Sequence, residues 1–242
     1  MQQSMSAFRP HALDTFAYSH GGASVAPMSF RQADFADGAM AARDAIVKRV
    51  ADIVLTVAGL IVVSIPMLLI AAAIRMTSEG PALFRQERIG LNGTRFVMLK
   101  FRTMHHAAEP PGTCPQAIRD DPRVTRIGTW LRRTSIDEFP QLLNVLGGSM
   151  SLVGPRPHAP GTCAAGRPFE TIIHHYDARH AVKPGMTGLA QIRGWRGETD
   201  TEEKLLRRID SDLEYIATWS LGHDLQILWR TLITMPRMPN AY

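Results

Sequence analysis

Two adjacent carboxylates, Asp137 and Glu138, stand between a run of arginines and a Pro-Arg-Pro loop in the stretch RVTRIGTWLRRTSIDEFPQLLNVLGGSMSLVGPRP, Arg123 to Pro157. Ser135, followed three residues later by Glu138 and then by an apolar run, has the form of a capping box and predicts a helix from Ile136. Phe139, Leu142, Leu143 and Leu146 fall at i, i+3, i+4 and i+7, which gives that helix one buried stripe, and Gly147-Gly148 ends it. Both acids then lie in the first turn, where unpaired amide hydrogens and the positive end of the dipole favour an ionised carboxylate. An ionised Asp serves as a nucleophile or a metal ligand. Neighbouring helical side chains project about 100° apart. One acid can therefore attack while the other holds a cation.

First-turn acids also occur simply as caps, and Pro140 fits only if it lies within the first turn. The surroundings favour chemistry. Arg123, Arg126, Arg132 and Arg133 precede the pair, and Arg156 follows in a loop whose prolines restrict where its guanidinium points. Arginines gathered around carboxylates imply a phosphorylated ligand, with a divalent cation to reconcile anion with anion.

The elements that must position these groups follow from the rest of the chain. Ile53 to Ile74 is a run of 22 residues without a charge, enough for a membrane segment. Its flanks nearly balance, with Arg31, Arg43, Lys48 and Arg49 before it and Arg75, Arg85 and Arg88 after it, so a spanning helix would leave one basic flank outside. Pro66, with Ser64 two residues earlier, removes a helix hydrogen bond mid-segment and predicts a kink whose freed carbonyl a hydroxyl can satisfy. The expectation is a helix-break-helix that dips into the bilayer and returns to the face it left.

Residues 1–42 lack sustained periodicity and the apolar core of a secretory signal, and read as a mostly disordered lead. From Gly80 the texture is that of a soluble domain. A Leu91-Asn92-Gly93 turn between Phe84 and the alternating Phe96–Phe101 predicts a hairpin, and His105 to Pro122 reads as an irregular connector. TIIHHYDARHAV looks helical. Thr201–Thr218 carries Leu205, Leu206, Ile209, Leu213 and Ile216 on one face, and the final DLQILWRTLITM with Trp229 suits either a membrane interface or a core. Gly185, Gly188, Gly194 and Gly197 with Lys183, Arg193 and Arg196 offer a weak phosphate cradle. The fold class is α+β: a monotopic membrane helix (43–78), then a small, mostly helical catalytic domain with short strands and interfacial helices (79–242).

The 242 residues hold 27 Lys+Arg against 22 Asp+Glu, a formal charge of +5, which suits nucleic acid, anionic lipid or phosphorylated ligands alike. Aromatics are too few and scattered for a nucleic-acid stacking platform, so no nucleic-acid partner is expected. Cys114 and Cys163 have no C-x-x-C spacing and are expected reduced. His105-His106 and His174-His175 lack a third ligand at zinc spacing.

The chain resembles the bacterial sugar transferases, monotopic phosphoglycosyl transferases that start surface-glycan assembly on a polyprenyl phosphate. The resemblance runs from Lys48 to Thr234 through Lys48-Arg49-x-x-Asp52, Gly80-Pro81, Phe84-x-Gln86-x-Arg88-x-Gly90, Lys100-Phe101-Arg102-Thr103-Met104, Asp137-Glu138, Met150-Ser151-Leu152-Val153-Gly154-Pro155-Arg156-Pro157 and Lys183-Pro184-Gly185-x-Thr187-Gly188. It implies a membrane helix broken at Pro66 and both chain ends on the cytoplasmic face of the bacterial inner membrane. It also implies Asp137 as nucleophile toward the sugar-bearing phosphorus of a UDP-sugar, UMP as leaving group, and undecaprenyl phosphate as acceptor. Mg²⁺ would be held at Asp137 or Glu138, and Arg156 would bind phosphate; Lys100, Arg102 and Arg126 are further anion contacts. The Tyr215-x-x-x-Trp219-Ser220-Leu221 block looks most like enzymes transferring glucose 1-phosphate or galactose 1-phosphate in exopolysaccharide synthesis. The competing readings are an inert basic membrane-surface module and a direct glycosyltransferase releasing UDP.

Overall fold

The apolar run forms a single helix, α1 (Ala42–Thr77), with Pro66 inside it. The computed structural model describes residues 42–105, 121–173, 176–197, 199 and 201–234, so the lead before Ala42 and most of the connector, with Cys114, lie outside the described residues. At 1.5 Å per residue α1 is about 54 Å long. Its helical backbone continues through Pro66 where a separated pair of helices was expected, and Ser64 Oγ donates to the Ile61 carbonyl at 3.2 Å. The outward side chains Val54, Ile61, Val62, Ile65, Leu68 and Leu69 are all 60% exposed or more. Among the described residues no core covers them.

Both ends of α1 are nevertheless tied to the same domain. Near the N-terminus Lys48 Nζ meets Asp224 Oδ2 at 2.6 Å, and Asp52 Oδ1 accepts from Ser151 Oγ at 3.1 Å and Leu152 N at 3.0 Å. Near the C-terminus Ile74 is fully buried with Phe101 and Leu131, flanked by Met67, Ile70 and Ala71. Burying each such side chain contributes about 1.5–3 kcal/mol.

The expected hairpin is present. Strands β1 (Leu83–Ile89) and β2 (Arg95–Phe101) pair antiparallel, Leu83 opposite Phe101 through Ile89 opposite Arg95. Asn92 and Gly93 take left-handed φ values of 53° and 73° at the turn. Helix α2 (Arg126–Thr134) follows, its N-terminus capped by Thr125 Oγ1, which accepts from Gly128 N at 2.9 Å.

The capping-box expectation fails at the next element. Ser135 ends α2 in the left-handed conformation (φ 58°) and makes no side-chain cap, Ile136–Glu138 is one 3₁₀ turn, and α3 (Gln141–Gly147) begins only after Pro140. The buried face is rotated as well, although Phe139 packs on the Phe101–Leu131 cluster as expected. Gln141, Asn144 and Val145 are inside, while Leu143 and Leu146 are 42% and 39% exposed. Asn144 decides this: its side chain accepts from Leu99 N at 2.9 Å and donates to the Val97 carbonyl at 2.7 Å, stitching α3 to β2. Gly148 (φ 85°) closes α3 as expected, and Arg49 donates to the Val145 and Leu146 carbonyls at 2.6 and 2.8 Å.

A short parallel pair, β3 (Ser151–Val153) with β6 (Gly185–Thr187), sets the Pro-Arg-Pro loop in place. Its chains approach so closely that a Cβ on Gly185 would lie 2.1 Å from Gly154 N, and one on Gly188 would lie 2.3 Å from the Gly154 carbonyl oxygen. These glycines serve backbone packing, which corrects the reading of Gly185 and Gly188 as a phosphate cradle. Between the two strands lie the small pair β4 (Cys163–Ala164) and β5 (Arg167–Pro168), the single turn α4 (Phe169–Ile172), and a 3₁₀ segment, Tyr176–Ala181, where a longer helix was expected.

After the short α5 (Leu189–Ile192), α6 (Glu202–Ala217) buries Leu205, Ile209 and Ile216 as the spacing predicts, with Leu206 45% exposed. Helix α7 (Leu221–Thr234) buries Asp224 and Ile227 and leaves Leu225, Trp229 and Leu232 exposed.

Candidate active site

The left-handed turn at Ser135 reverses the chain after α2, so the acids sit on a tight 3₁₀ turn facing β2 and the Pro-Arg-Pro loop. A non-glycine residue with positive φ is uncommon. Arg196 Nη2 holds it by donating to Ser135 Oγ at 2.7 Å.

The two acids, both buried, have opposite surroundings. Glu138 is gripped on both oxygens: Arg156 donates Nη1 to Oε2 at 3.1 Å and Nη2 to Oε1, and Lys100 Nζ reaches Oε1 at 3.0 Å. Burial pushes its carboxyl up, but Arg156 and Lys100 outweigh that and hold it well below the usual range. Asp137 accepts no side-chain hydrogen bond among the described residues. Burial pushes its carboxyl up and the Glu138 charge adds to that, while Lys100 and Arg156 pull it down; the net shift is upward. Lys100 is itself lowered by burial, with Glu138 opposing.

Asp137 and Glu138 lie in the wall of a cleft of about 1290 Å³, lined, among the described residues, by ten Arg or Lys side chains and only these two carboxylates. The cleft runs from the last turn of α1, past the hairpin and the acid turn, to the loop after Arg156 and to Arg208 on α6. Such excess positive charge inside a concave site favours a multiply charged anion.

The Pro-Arg-Pro loop is fixed from behind. Arg179, 2% exposed, donates to the Arg156 carbonyl at 2.7 Å, to Asp212 Oδ2 on α6 at 2.6 Å and to the Tyr176 hydroxyl at 2.7 Å. Ile89 N donates to the His158 carbonyl at 3.1 Å, and Arg88 to the Pro157 carbonyl at 3.3 Å, which ties the loop to β1. Burial and the nearby Arg179 push the His158 imidazole far down, so it stays neutral. The Arg156 guanidinium is thereby aimed rather than left to swing.

Of the other residues singled out from sequence, Lys100 and Arg102 line the cleft and Arg126 does not. Arg126 is the exposed first residue of α2; Arg123 and Arg132 are the cleft-facing members of that run. Arg102 is spent on structure: its Nη2 donates to the Ser78 carbonyl and hydroxyl, both at 2.8 Å, and its Nη1 to the Glu79 carbonyl, closing the C-terminus of α1. Ser64 and Pro66 lie on the exposed stretch of α1, away from the cleft.

Sequence reasoning passed over Arg208, which lines the cleft and donates to the Gly197 carbonyl at 2.9 Å. Burial, reinforced by Arg179, brings its guanidinium down to about 10. Its signal was available: at i+3 from Leu205 and i−4 from Asp212, Arg208 falls on the inward side of α6. Arg193, by contrast, pairs outside the cleft with Glu214 at 2.6 Å.

As to a metal, no third His, Cys, Asp or Glu joins the acid pair among the described residues. The donor set fits a hard cation held by one free carboxylate and by the phosphates of a ligand, the usual arrangement for Mg²⁺. Asp137 is that free carboxylate. Glu138 would first have to give up a contact to Lys100 or Arg156.

The bacterial sugar transferase family matches residues 43–237. The UDP-glucose:undecaprenyl-phosphate glucose-1-phosphate transferase of Caulobacter vibrioides is 53% identical over 196 residues, 81% of this chain and 72% of that protein. The Escherichia coli protein of the same name is 48% identical over 77% of this chain, which spans only 39% of that relative's length. The exopolysaccharide production protein PSS of Rhizobium leguminosarum is 45% identical over 79% of this chain and 96% of its own length. A match over this much of the chain, with the acid turn and the Pro-Arg-Pro loop inside it, means that the chain belongs to the bacterial sugar transferase family.

Proposed function

We propose that the protein transfers glucose 1-phosphate from UDP-glucose to undecaprenyl phosphate and releases UMP, through a phosphosugar ester on Asp137. The observation that carries this reading is the unpaired Asp137 carboxylate in the wall of a cationic cleft, beside a Glu138 locked by Arg156 and Lys100. Asp137 attacks the sugar-bearing phosphorus. An O–P bond to the carboxylate forms, the bridging P–O bond breaks, and UMP leaves with that bond's electron pair. An oxygen of the lipid phosphate then attacks the same phosphorus and expels the carboxylate, giving a lipid diphosphate sugar. Splitting the transfer lets a soluble donor and a membrane-held acceptor use one pocket in turn.

The chain's own groups supply charge and order. Arg156, held at its carbonyl by Arg179, and Lys100 face the phosphates, and their preset positions stabilise negative charge developing on the transferred group. Mg²⁺, bound by Asp137 and the diphosphate with Glu138 as the alternative ligand, would offset the negative charge that otherwise repels a carboxylate nucleophile.

The membrane placement belongs to the same proposal: α1 is re-entrant, and the domain and both chain ends lie on the cytoplasmic face. Two features support it. Both ends of α1 bond to one domain, which a helix with its ends on opposite sides of a bilayer would not permit, and the exposed Leu225, Trp229 and Leu232 of α7 suit an interface.

Glucose is favoured over galactose because the Caulobacter and Escherichia relatives are named for it, though a relative 38% identical is named galactosyl transferase CpsE. The test is product analysis with UDP-glucose and UDP-galactose, Mg²⁺ and polyprenyl phosphate. UMP from UDP-glucose supports the reading; UMP from UDP-galactose alone reassigns the sugar; UDP as product overturns the phosphosugar chemistry.

A further inference from the structure

α1 contributes its last turn to the cleft wall, through Ala71 and Arg75. Arg75 is exposed, and its side chain makes no hydrogen bond or ion pair among the described residues. The ordinary task of an arginine in a last turn is to satisfy the helix's terminal carbonyls. Arg102 already reaches the Ile74 carbonyl in the last turn and the Ser78 and Glu79 carbonyls just beyond it. Arg75 is thus a spare cation at the one place where the apolar helix and the cationic cleft meet.

Its neighbours define what it would meet. Leu68, Ala71, Ala72 and Arg75 fall at i, i+3, i+4 and i+7, so they share one side of α1. Leu68 is 71% exposed, and the small Ala71 and Ala72 leave a low track from that surface into the cleft. Pro81, Ala82 and Phe84 continue the apolar lining beside it. An amphiphile with a long apolar chain and a terminal phosphate matches this order: chain along the alanine track, phosphate at Arg75.

The geometry points to Arg75 as the residue that receives the phosphate of the lipid acceptor at the membrane-side mouth of the cleft, apart from the donor's phosphates at Arg156. This rests on the proposed function for the identity of the acceptor. A phospholipid headgroup offers similar chemistry, and the test separates the two.

The full chain, reconstituted in phosphatidylcholine vesicles, is compared with Arg75→Gln and Arg75→Lys. Equilibrium binding of polyprenyl phosphate and of the uncharged polyprenol needs no donor and no turnover. The parent is expected to prefer the phosphate, Arg75→Gln to lose that preference by about tenfold, the size of one charge-assisted contact, and Arg75→Lys to recover most of it. In turnover, the KM for polyprenyl phosphate rises about tenfold more than the KM for the donor. No phosphate preference in the parent overturns the inference, as does an equal rise in both KM values. Loss of retention on vesicles containing phosphatidylglycerol, with the polyprenyl phosphate preference intact, overturns it in favour of a headgroup anchor. A parent that binds polyprenyl phosphate selectively yet yields no UMP refutes the proposed function and leaves the lipid site standing.

Discussion

Two buried charge clusters in this protein are built from similar parts and end differently. At the foot of α1, Asp224 accepts from Lys48, from the Tyr215 hydroxyl at 2.7 Å and from Trp219 Nε1 at 3.2 Å. Every acceptor there has its donor, and nothing opens to the cleft. At the acid turn, Glu138 is as fully paired as Asp224, but its neighbour Asp137 is left over and faces a cavity. A closed polar network specifies how two elements dock, whereas a network with one unpaired charge turned toward a cavity holds a reactive group. Lys48–Asp224 joins helix to domain. Lys100–Glu138–Arg156 frames a nucleophile.

This contrast makes graded predictions. The largest effect is expected at the leftover charge: Asp137→Asn lowers turnover by about 10³-fold or more, while its thermal unfolding midpoint stays near the parent's, since no hydrogen bond to Asp137 is lost. A large drop in that midpoint would mean that Asp137 is a structural acid like Asp224. The closed cluster should respond the other way. Asp224→Ala strands a buried Lys48 and costs about 3–5 kcal/mol of stability, whereas Lys48→Met with Asp224→Leu recovers most of it. Denaturant titration in mild detergent reads both, and failure of the double variant to recover would show that Tyr215 and Trp219 also need the carboxylate.

A smaller loss is expected from Arg102→Ala, about 1.5–3 kcal/mol for removing charged donors from buried carbonyls. Its KM for the donor should stay close to the parent's; a rise of tenfold would return Arg102 to the substrate site.

The smallest effect is a shift of pH profile. Asp137 must be ionised to attack, and burial raises its pKa, so the acid limb of kcat/KM lies above that of an ordinary aspartate. Removing a nearby cation favours the neutral form further, so in Lys100→Met the rate falls off at a higher pH than in the parent. A limb that moves to lower pH would contradict the assignment of Asp137 as the titrating group.

What sequence disclosed here was local. The hairpin announced itself by Asn92-Gly93 between alternating strands, α6 by Leu205, Ile209 and Ile216, and the acid pair by its arginine setting. What it hid depends on partners far along the chain. Ser135 and Glu138 have capping-box spacing, but Glu138 is claimed by Arg156, 18 residues on, and Ser135 by Arg196, 61 residues on. The leucine stripe of α3 pointed the wrong way because Asn144 bonds to β2, 45 and 47 residues earlier. Gly185 and Gly188 read as ligand glycines until Gly154 was found against them. Arg102 and Arg126 were equal members of a basic list, and only the end of α1 distinguishes the one that is buried.

The central claim is that Asp137, rather than Glu138, carries the transferred phosphosugar. The most direct test is intact-protein and peptide mass spectrometry after brief incubation with UDP-glucose and Mg²⁺, without acceptor. The account predicts a hexose-phosphate adduct on the peptide holding Asp137, absent in Asp137→Asn, retained in Glu138→Gln even if formed slowly, and discharged when polyprenyl phosphate is added. An adduct that persists in Asp137→Asn, or UMP release from the parent with no adduct at any time, would contradict it.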